Sequence, residues 1–205
     1  MDIEVEGLSK EYNYSTVFSG FSAHFKSGER IAVLGSNGSG KSTLLKVISG
    51  MVEHTSGSIK WSGGEKEVKR YNWFRYFSFC SPQLFFDEQF SVSEVIEFFT
   101  SFRSHFTLET VDDFIGKLDF QSHKEKKVSS LSSGMYQRLR LLLTISMDVP
   151  VLFLDEPCSN LDKAGVEWYR QLVDEFGREK LILVASNDER EYAFCREQIY
   201  IPDYK

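Results

Sequence analysis

Gly35-Ser36-Asn37-Gly38-Ser39-Gly40-Lys41-Ser42-Thr43 contains a complete G-x-x-x-x-G-K-[ST] phosphate loop, running from Gly35 to Ser42. The residues before it, Ile31-Ala32-Val33-Leu34, are apolar and partly β-branched, which predicts a buried strand; Thr43 to Ile48 can begin a helix. Strand, glycine-rich loop and helix in that order are the context in which such a loop works. Gly35, Gly38 and Gly40 let the backbone curl so that successive N–H groups face phosphate oxygens, and the helix N-terminus adds partial positive charge. Lys41 would reach the β- and γ-phosphates and Ser42 would offer its hydroxyl to Mg²⁺, with Ser36, Asn37, Ser39 and Thr43 completing the cradle. The ligand this implies is a nucleoside triphosphate with its magnesium ion.

Outward from the loop, the chain reads as strands interleaved with helices. Ile3, Val5 and Leu8 alternate with acidic residues and predict an exposed edge strand, antiparallel to a second strand carrying Val17, Phe18, Phe21, Ala23 and Phe25. Ser56 to Gly64 reads as a short strand ending in a turn, and Tyr76 to Cys80 as a buried one. From Ser91 to about Ser146 the pattern becomes helical, with Val92, Val95, Ile96, Phe99, Phe102 and Phe106 on one stripe. Beyond it come a strand at Val151 to Leu154, a helix at Lys163 to Phe176, a strand at Leu181 to Ala185 and a last strand near Gln198 to Ile201. Such alternation predicts a parallel sheet.

At 205 residues the chain suits one domain with an insertion and is too short for two nucleotide-binding repeats. A net charge of −6 without a basic stripe argues against nonspecific nucleic-acid binding, and Lys124 to Lys127 reads as solvated surface. No apolar run approaches the roughly 18 residues that span a bilayer, nor does Met1-Asp2-Ile3-Glu4 begin an export signal, so a cytosolic protein is expected. Cys80, Cys158 and Cys195 are far apart and read as reduced structural thiols; His24, His54, His105 and His123 are equally scattered and suggest no metal cluster.

Val151-Leu152-Phe153-Leu154-Asp155-Glu156-Pro157 is an apolar strand that delivers two carboxylates at its C-terminal end, where open α/β sheets place ligands. Asp155 would hold the metal beside Ser42, and Glu156 would act as general base on the attacking water. With this pair, the chain resembles over essentially its whole length the nucleotide-binding subunit of an ATP-binding cassette (ABC) transporter. Leu131-Ser132-Ser133-Gly134-Met135-Tyr136-Gln137-Arg138 resembles the family signature L-S-G-G-Q-x-Q-R, just upstream of the Asp-Glu strand. Gln83 matches the Q-loop, Ser159-Asn160-Leu161-Asp162 the D-loop, and Tyr12 the aromatic that stacks on adenine. Tyr14 competes with Tyr12 for that role, and plain strand packing is a further reading of Tyr12.

The resemblance implies an α/β fold with a P-loop NTPase (RecA-like) parallel-sheet core, an N-terminal antiparallel β subdomain and an inserted α-helical subdomain at about residues 84–146 of one domain, 1–205. It implies ATP and Mg²⁺ as cofactors, with Gln83 sensing metal and water beside Ser42 and Asp155. Two cassettes would close head to tail, Ser132 and Gly134 of one meeting the γ-phosphate of the other and Asp162 coupling the sites, as a homodimer or with a sister chain. It further implies ATP hydrolysis that drives a separate permease chain from the cytoplasmic face of the cell membrane; the alternative is a soluble assembly or regulatory module. Leu84 to Phe90 would line a groove for the permease, although its aromatics fit a subdomain core equally well.

The chain departs from the family pattern at three points. Ser133 replaces a signature glycine, Met135 replaces a glutamine, and Asn187 stands where the family places its switch histidine. An asparagine amide still forms hydrogen bonds but carries neither a proton nor a charge. Slow hydrolysis that still depends on Glu156 is therefore expected; the alternative is that the family tolerates asparagine here with normal activity.

Overall fold

The structure is a computed structural model and describes residues 1–102 and 106–205, so that His105, like the side chain of Phe102, lies outside it. Its elements in chain order are β1 (Asp2–Tyr12), β2 (Ser15–Phe25), β3 (Arg30–Leu34), α1 (Lys41–Ile48), β4 (Ser56–Gly63), β5 (Lys66–Val68) and β6 (Phe77–Cys80). There follow α2 (Val92–Phe102), α3 (Val111–Leu118), α4 (Ser133–Ile145), β7 (Val151–Asp155), α5 (Lys163–Phe176), β8 (Leu181–Ala185), α6 (Glu189–Tyr192) and β9 (Glu197–Tyr200). Two compact units result, one built from residues 1–79, 149–156 and 179–205, the other from 80–148 and 157–178.

The first unit contains a four-stranded sheet in the order β2-β1-β4-β5 and a five-stranded sheet in the order β6-β7-β8-β3-β9. β1 is antiparallel to both β2 and β4, so it is an interior strand, not the edge strand its alternation suggested. Alternation reports only that one face is buried; Ser58 to Ser62 of β4 cover the edge that the sequence left open. Ile3 and Val5 are two residues apart but Leu8 is out of phase with them. A register shift between Val5 and Leu8, where Gly7 takes φ +56°, flips the parity so that all three side chains are fully buried. The rings of this core include Trp61 and Trp73, stacked 5.2 Å apart, and Phe153, which meets Phe77 and Phe79.

β7, β8, β3 and β9 pair in parallel, and α1 packs against β7 and β8. Because β8 lies between β7 and β3, the three strands end on the same edge of the sheet: Val33 and Asp155 are both paired with Ala185. The turns that follow these strands carry the phosphate loop, Glu156 and Asn187.

The second unit is helical. α2 ends at Phe102, and Phe106 forms an isolated antiparallel bridge with Met147, so it is not on the helical stripe as the periodicity predicted. The ring of Phe106 instead meets Phe114 of α3 edge to face, which satisfies the same apolar pattern from a different backbone. Thr110 caps α3 through a reciprocal capping box with Asp113. α4 is buried on nearly all sides, through Leu139, Leu141, Leu142, Leu143 and Ile145, and packs against α5 and α3. Among the described residues no helix is long and apolar enough to cross a membrane.

Candidate nucleotide site

The loop after β3 turns on a Ser39 N–H to Ser36 carbonyl bond of 3.0 Å, and its crest, Ser36 to Gly38, is exposed. Gly40 enters α1 with φ +109°, and a Cβ there would stand 2.6 Å from Cγ1 of Val17; only glycine fits. Lys41 is buried, and its Nζ donates to the carbonyls of Gly35 at 2.8 Å and Ser36 at 3.2 Å. Burial lowers its pKa, opposed by the carboxylates of Glu156 and Asp155. The lysine is thus held inside the curl of the loop with both acids in its field.

Asp155, 2% exposed, accepts a 2.7 Å hydrogen bond from the Ser42 hydroxyl on its Oδ1. Burial raises its pKa, while the Ser42 bond lowers it. A hydroxyl and a carboxylate in contact at the mouth of a phosphate loop are the hard oxygen donors Mg²⁺ prefers, and a buried carboxylate gains most from a cation. Among the described residues no group of three or more His, Cys, Asp or Glu gathers, so any metal here would share protein oxygens with phosphate and water.

Glu156 follows in a left-handed conformation, φ +47°, uncommon outside glycine, while its N–H bonds the Ala185 carbonyl at 2.9 Å. With Tyr12, Val17 and residues 37–43 it lines a cavity of about 270 Å³. Tyr12 is half exposed on that cavity, with Nζ of Lys10 4.3 Å from its ring centre. Tyr14 is fully exposed and lies outside the lining of this cavity, while Tyr12 also pairs with Ser15 at the end of the β1–β2 ladder. Asn187, beyond β8, donates from Nδ2 to Oδ1 of Asn37 at 2.6 Å, so its amide already reaches the crest of the loop. Nothing in the sequence pattern signalled that pairing.

Gln83, Ser132, Gly134 and Asp162 belong to the second unit. Ser132 is the exposed N-cap of α4, its Oγ accepting from the Met135 N–H at 3.3 Å, and Ser133 begins the helix. A Cβ on Gly134 would lie 3.2 Å from the Asn160 carbonyl, so the two motifs are in close contact at that residue. Asp162 caps α5 by accepting from the Gly165 N–H at 2.7 Å. Gln83 is exposed in a turn closed by a Leu84 N–H to Ser81 carbonyl bond.

The two aromatics after Gln83 separate the two readings of that segment. Phe85 is 74% exposed beside a groove of about 550 Å³, whereas Phe86 is 6% exposed and packs on Phe99 and Tyr136. One is surface and the other is core.

The profile of the ABC transporter family matches residues 18–159. Among curated proteins, the chain is 28% identical over 177 residues to the uncharacterized ABC transporter ATP-binding protein YcbN of Bacillus subtilis, covering 86% of this chain and 58% of that protein. It is 27% identical to the lantibiotic transport ATP-binding protein SrtF of Streptococcus pyogenes, covering 90% of this chain and 79% of that one. With the sulfate/thiosulfate import ATP-binding protein CysA of Bacillus cereus it shares 30% identity, across 86% of this chain and 52% of that one. The chain therefore spans little more than half the length of some of these relatives. Among solved structures, a putative ABC transporter ATP-binding protein from Pyrococcus furiosus superposes with a TM-score of 0.83 at 21% identity, over 100% of both chains. A bacterial ABC transporter cassette solved as a dimer gives a TM-score of 0.80 at 20% identity, over 97% of this chain and 93% of that one. The phosphate loop, the Ser42–Asp155 contact and the family profile lead to one conclusion: the chain belongs to the ABC transporter family, as one of its ATP-binding proteins.

Proposed function

We propose that this chain hydrolyses ATP and, paired with a second cassette, drives a permease carried on a separate chain. The observation that carries this reading is the row Val33, Ala185 and Asp155, which sets the phosphate loop, Glu156 and Asn187 around one sheet edge. Lys41 and the loop N–H groups would bind the phosphates, Ser42 and Asp155 would hold Mg²⁺, and Tyr12 would support the base. Bound there, the metal would neutralise charge on the β- and γ-phosphates. Glu156 would take a proton from the attacking water, with Gln83 orienting that water and contacting the metal as the family resemblance assigns. Asn187 would leave Asn37 and donate its amide to the γ-phosphate, a weaker stabiliser than a charged imidazole.

Ser132 and Gly134 would meet the γ-phosphate of the second cassette, supported by the exposed N-terminus of α4, and Asp162 would couple the two sites. The chain would act at the cytoplasmic face of the cell membrane. Release of phosphate from MgATP by the purified chain, lost in Glu156→Gln while nucleotide binding persists, tests the chemistry. Affinity capture from gently solubilised membranes tests the transport role: a stoichiometric integral membrane protein supports it, and a soluble partner alone counts against it.

A further inference from the structure

Arg140 is an anomaly within its helix. It stands in the leucine-rich part of α4 and is only 7% exposed. A guanidinium keeps its charge inside a protein, so a buried one must have its N–H groups directed at acceptors. Its Nε donates to the Leu84 carbonyl at 2.9 Å, its Nη1 donates to Oε1 of Gln137 at 2.6 Å, and it lies 4.9 Å from the centre of the Tyr136 ring. These partners are all neutral; the arrangement is a set of directed hydrogen bonds and not a charge pair.

The bonds continue in both directions. Gln137, 2% exposed, donates from Nε2 to the Pro157 carbonyl at 2.5 Å. Tyr136 accepts the Phe86 N–H on its hydroxyl at 2.7 Å. One buried chain of contacts therefore runs from the Leu84 carbonyl through Arg140 and Gln137 to the Pro157 carbonyl, with Tyr136 adding a second tie at Phe86. At one end the backbone is pinned on both sides of exposed Phe85. At the other end Pro157 is covalently next to Glu156, whose left-handed backbone persists only where its surroundings hold it.

We propose that Arg140 is a positioning residue, tying the loop that displays Phe85 to the segment leaving Glu156 so that the conformation of each biases the other. This rests on the proposed function, in which Phe85 faces the permease and Glu156 activates water. Polar networks of this kind have discrete bonding arrangements, which is what a two-state coupling element requires. A purely structural arginine would stabilise α4 without making Phe85 sensitive to nucleotide.

The test places a reporter at Phe85→Cys and follows its reaction with a maleimide dye, with and without the imido analogue of ATP and Mg²⁺. Native thiols give little background, because Cys80 and Cys158 are buried and burial pushes the Cys195 thiol up to about 12. With Arg140 in place, the analogue should change the labelling rate about fivefold, at the lower end of ordinary coupling. In Arg140→Met and in Gln137→Met the rates with and without analogue should agree, although calorimetry shows the analogue bound as before. Should Arg140→Met fail to fold by circular dichroism, Gln137→Met, which cuts the far end of the relay, decides alone. A nucleotide-dependent rate that survives in the folded variants overturns the proposal, as does a parent that binds the analogue without any change in rate. A parent that binds no analogue at all overturns the nucleotide reading itself.

Discussion

Replacing Phe86 and Phe85 separately with serine should give very different proteins, although the residues are adjacent and identical. Phe86 is 6% exposed, with its ring centre 5.3 Å from that of Phe99 and 5.2 Å from that of Tyr136. Truncating a buried phenylalanine removes its transfer energy and leaves a cavity, together about 3–5 kcal/mol. At about 2–4 °C per kcal/mol for a chain of this size, the melting temperature should fall by roughly 6–20 °C. Phe85, 74% exposed, should change stability by no more than about 0.5 kcal/mol. Urea unfolding followed by Trp168 fluorescence reads the relevant region, since Trp61 and Trp73 lie in the other unit. Comparison with a Trp168→Phe control assigns the signal. Equal losses from the two substitutions, or a benign Phe86→Ser, would refute the division into surface and core. Under the proposed function, Phe85→Ser should also weaken permease capture while leaving the melting curve unchanged.

Under the proposed function, in which the Asn187 amide would donate to the γ-phosphate, Asn187→His should raise turnover by about tenfold or more, because a protonatable imidazole would replace that amide; an unchanged kcat would remove Asn187 from the mechanism. Gly57→Ala should be severely destabilising, since at φ +95° its Cβ would lie 2.6 Å from both the Gly7 carbonyl and Leu8 Cα. Gly64→Ala, at φ +63° with open space around it, should cost only the backbone strain of about 1–3 kcal/mol, and similar melting curves for the two would contradict the crowding argument. At pH 8 the native protein should react slowly with a disulfide reagent, because a thiol pKa pushed up to about 12 by burial leaves Cys195 about 10⁻⁴ thiolate. Rapid titration of one thiol before unfolding would show that this site is open. Thr110→Ala should cost about 0.5–2 kcal/mol through loss of the capping box on α3, measured by the same urea curves.

Where sequence and structure agree, the pattern was local. The apolar runs of β3, β7 and β8 and the periodicity of α5 are complete within a few residues, so their limits could be read in advance to within one residue. β1 was misplaced because the pairing that makes it interior comes from β4, and nothing in an alternating pattern says which edges are covered. Phe106 continued the helical period of α2 but forms an isolated bridge with Met147 and packs on Phe114 of α3, since apolar spacing does not distinguish a helix face from a residue that packs elsewhere. Phe85 and Phe86 were inseparable by composition; what sets them apart is the packing of the Phe86 ring on Phe99 and Tyr136, together with the bond from the Phe86 N–H to the Tyr136 hydroxyl. The contact of Asn37 with Asn187 joins residues remote in sequence; each was singled out in its own segment, but nothing local said that they pair. Arg140 would pass in a sequence for a solvent-facing charge, and its role as a donor within the second unit depends on the Leu84 carbonyl, contributed by another segment, and on Gln137 of its own helix.

The placement of β3 has a consequence for biosynthesis. This strand feeds the phosphate loop, yet its two neighbours in the sheet are β8 and β9, which leave the ribosome long after it. Until residues 181–200 have emerged, Ile31 to Val33 have no partner strands, and the edge that gathers the loop, Glu156 and Asn187 cannot exist. The antiparallel hairpin of β1 and β2, by contrast, can close as soon as it is made. The chain should thus remain unable to retain nucleotide during most of its synthesis, holding an apolar strand in waiting that chaperones would recognise.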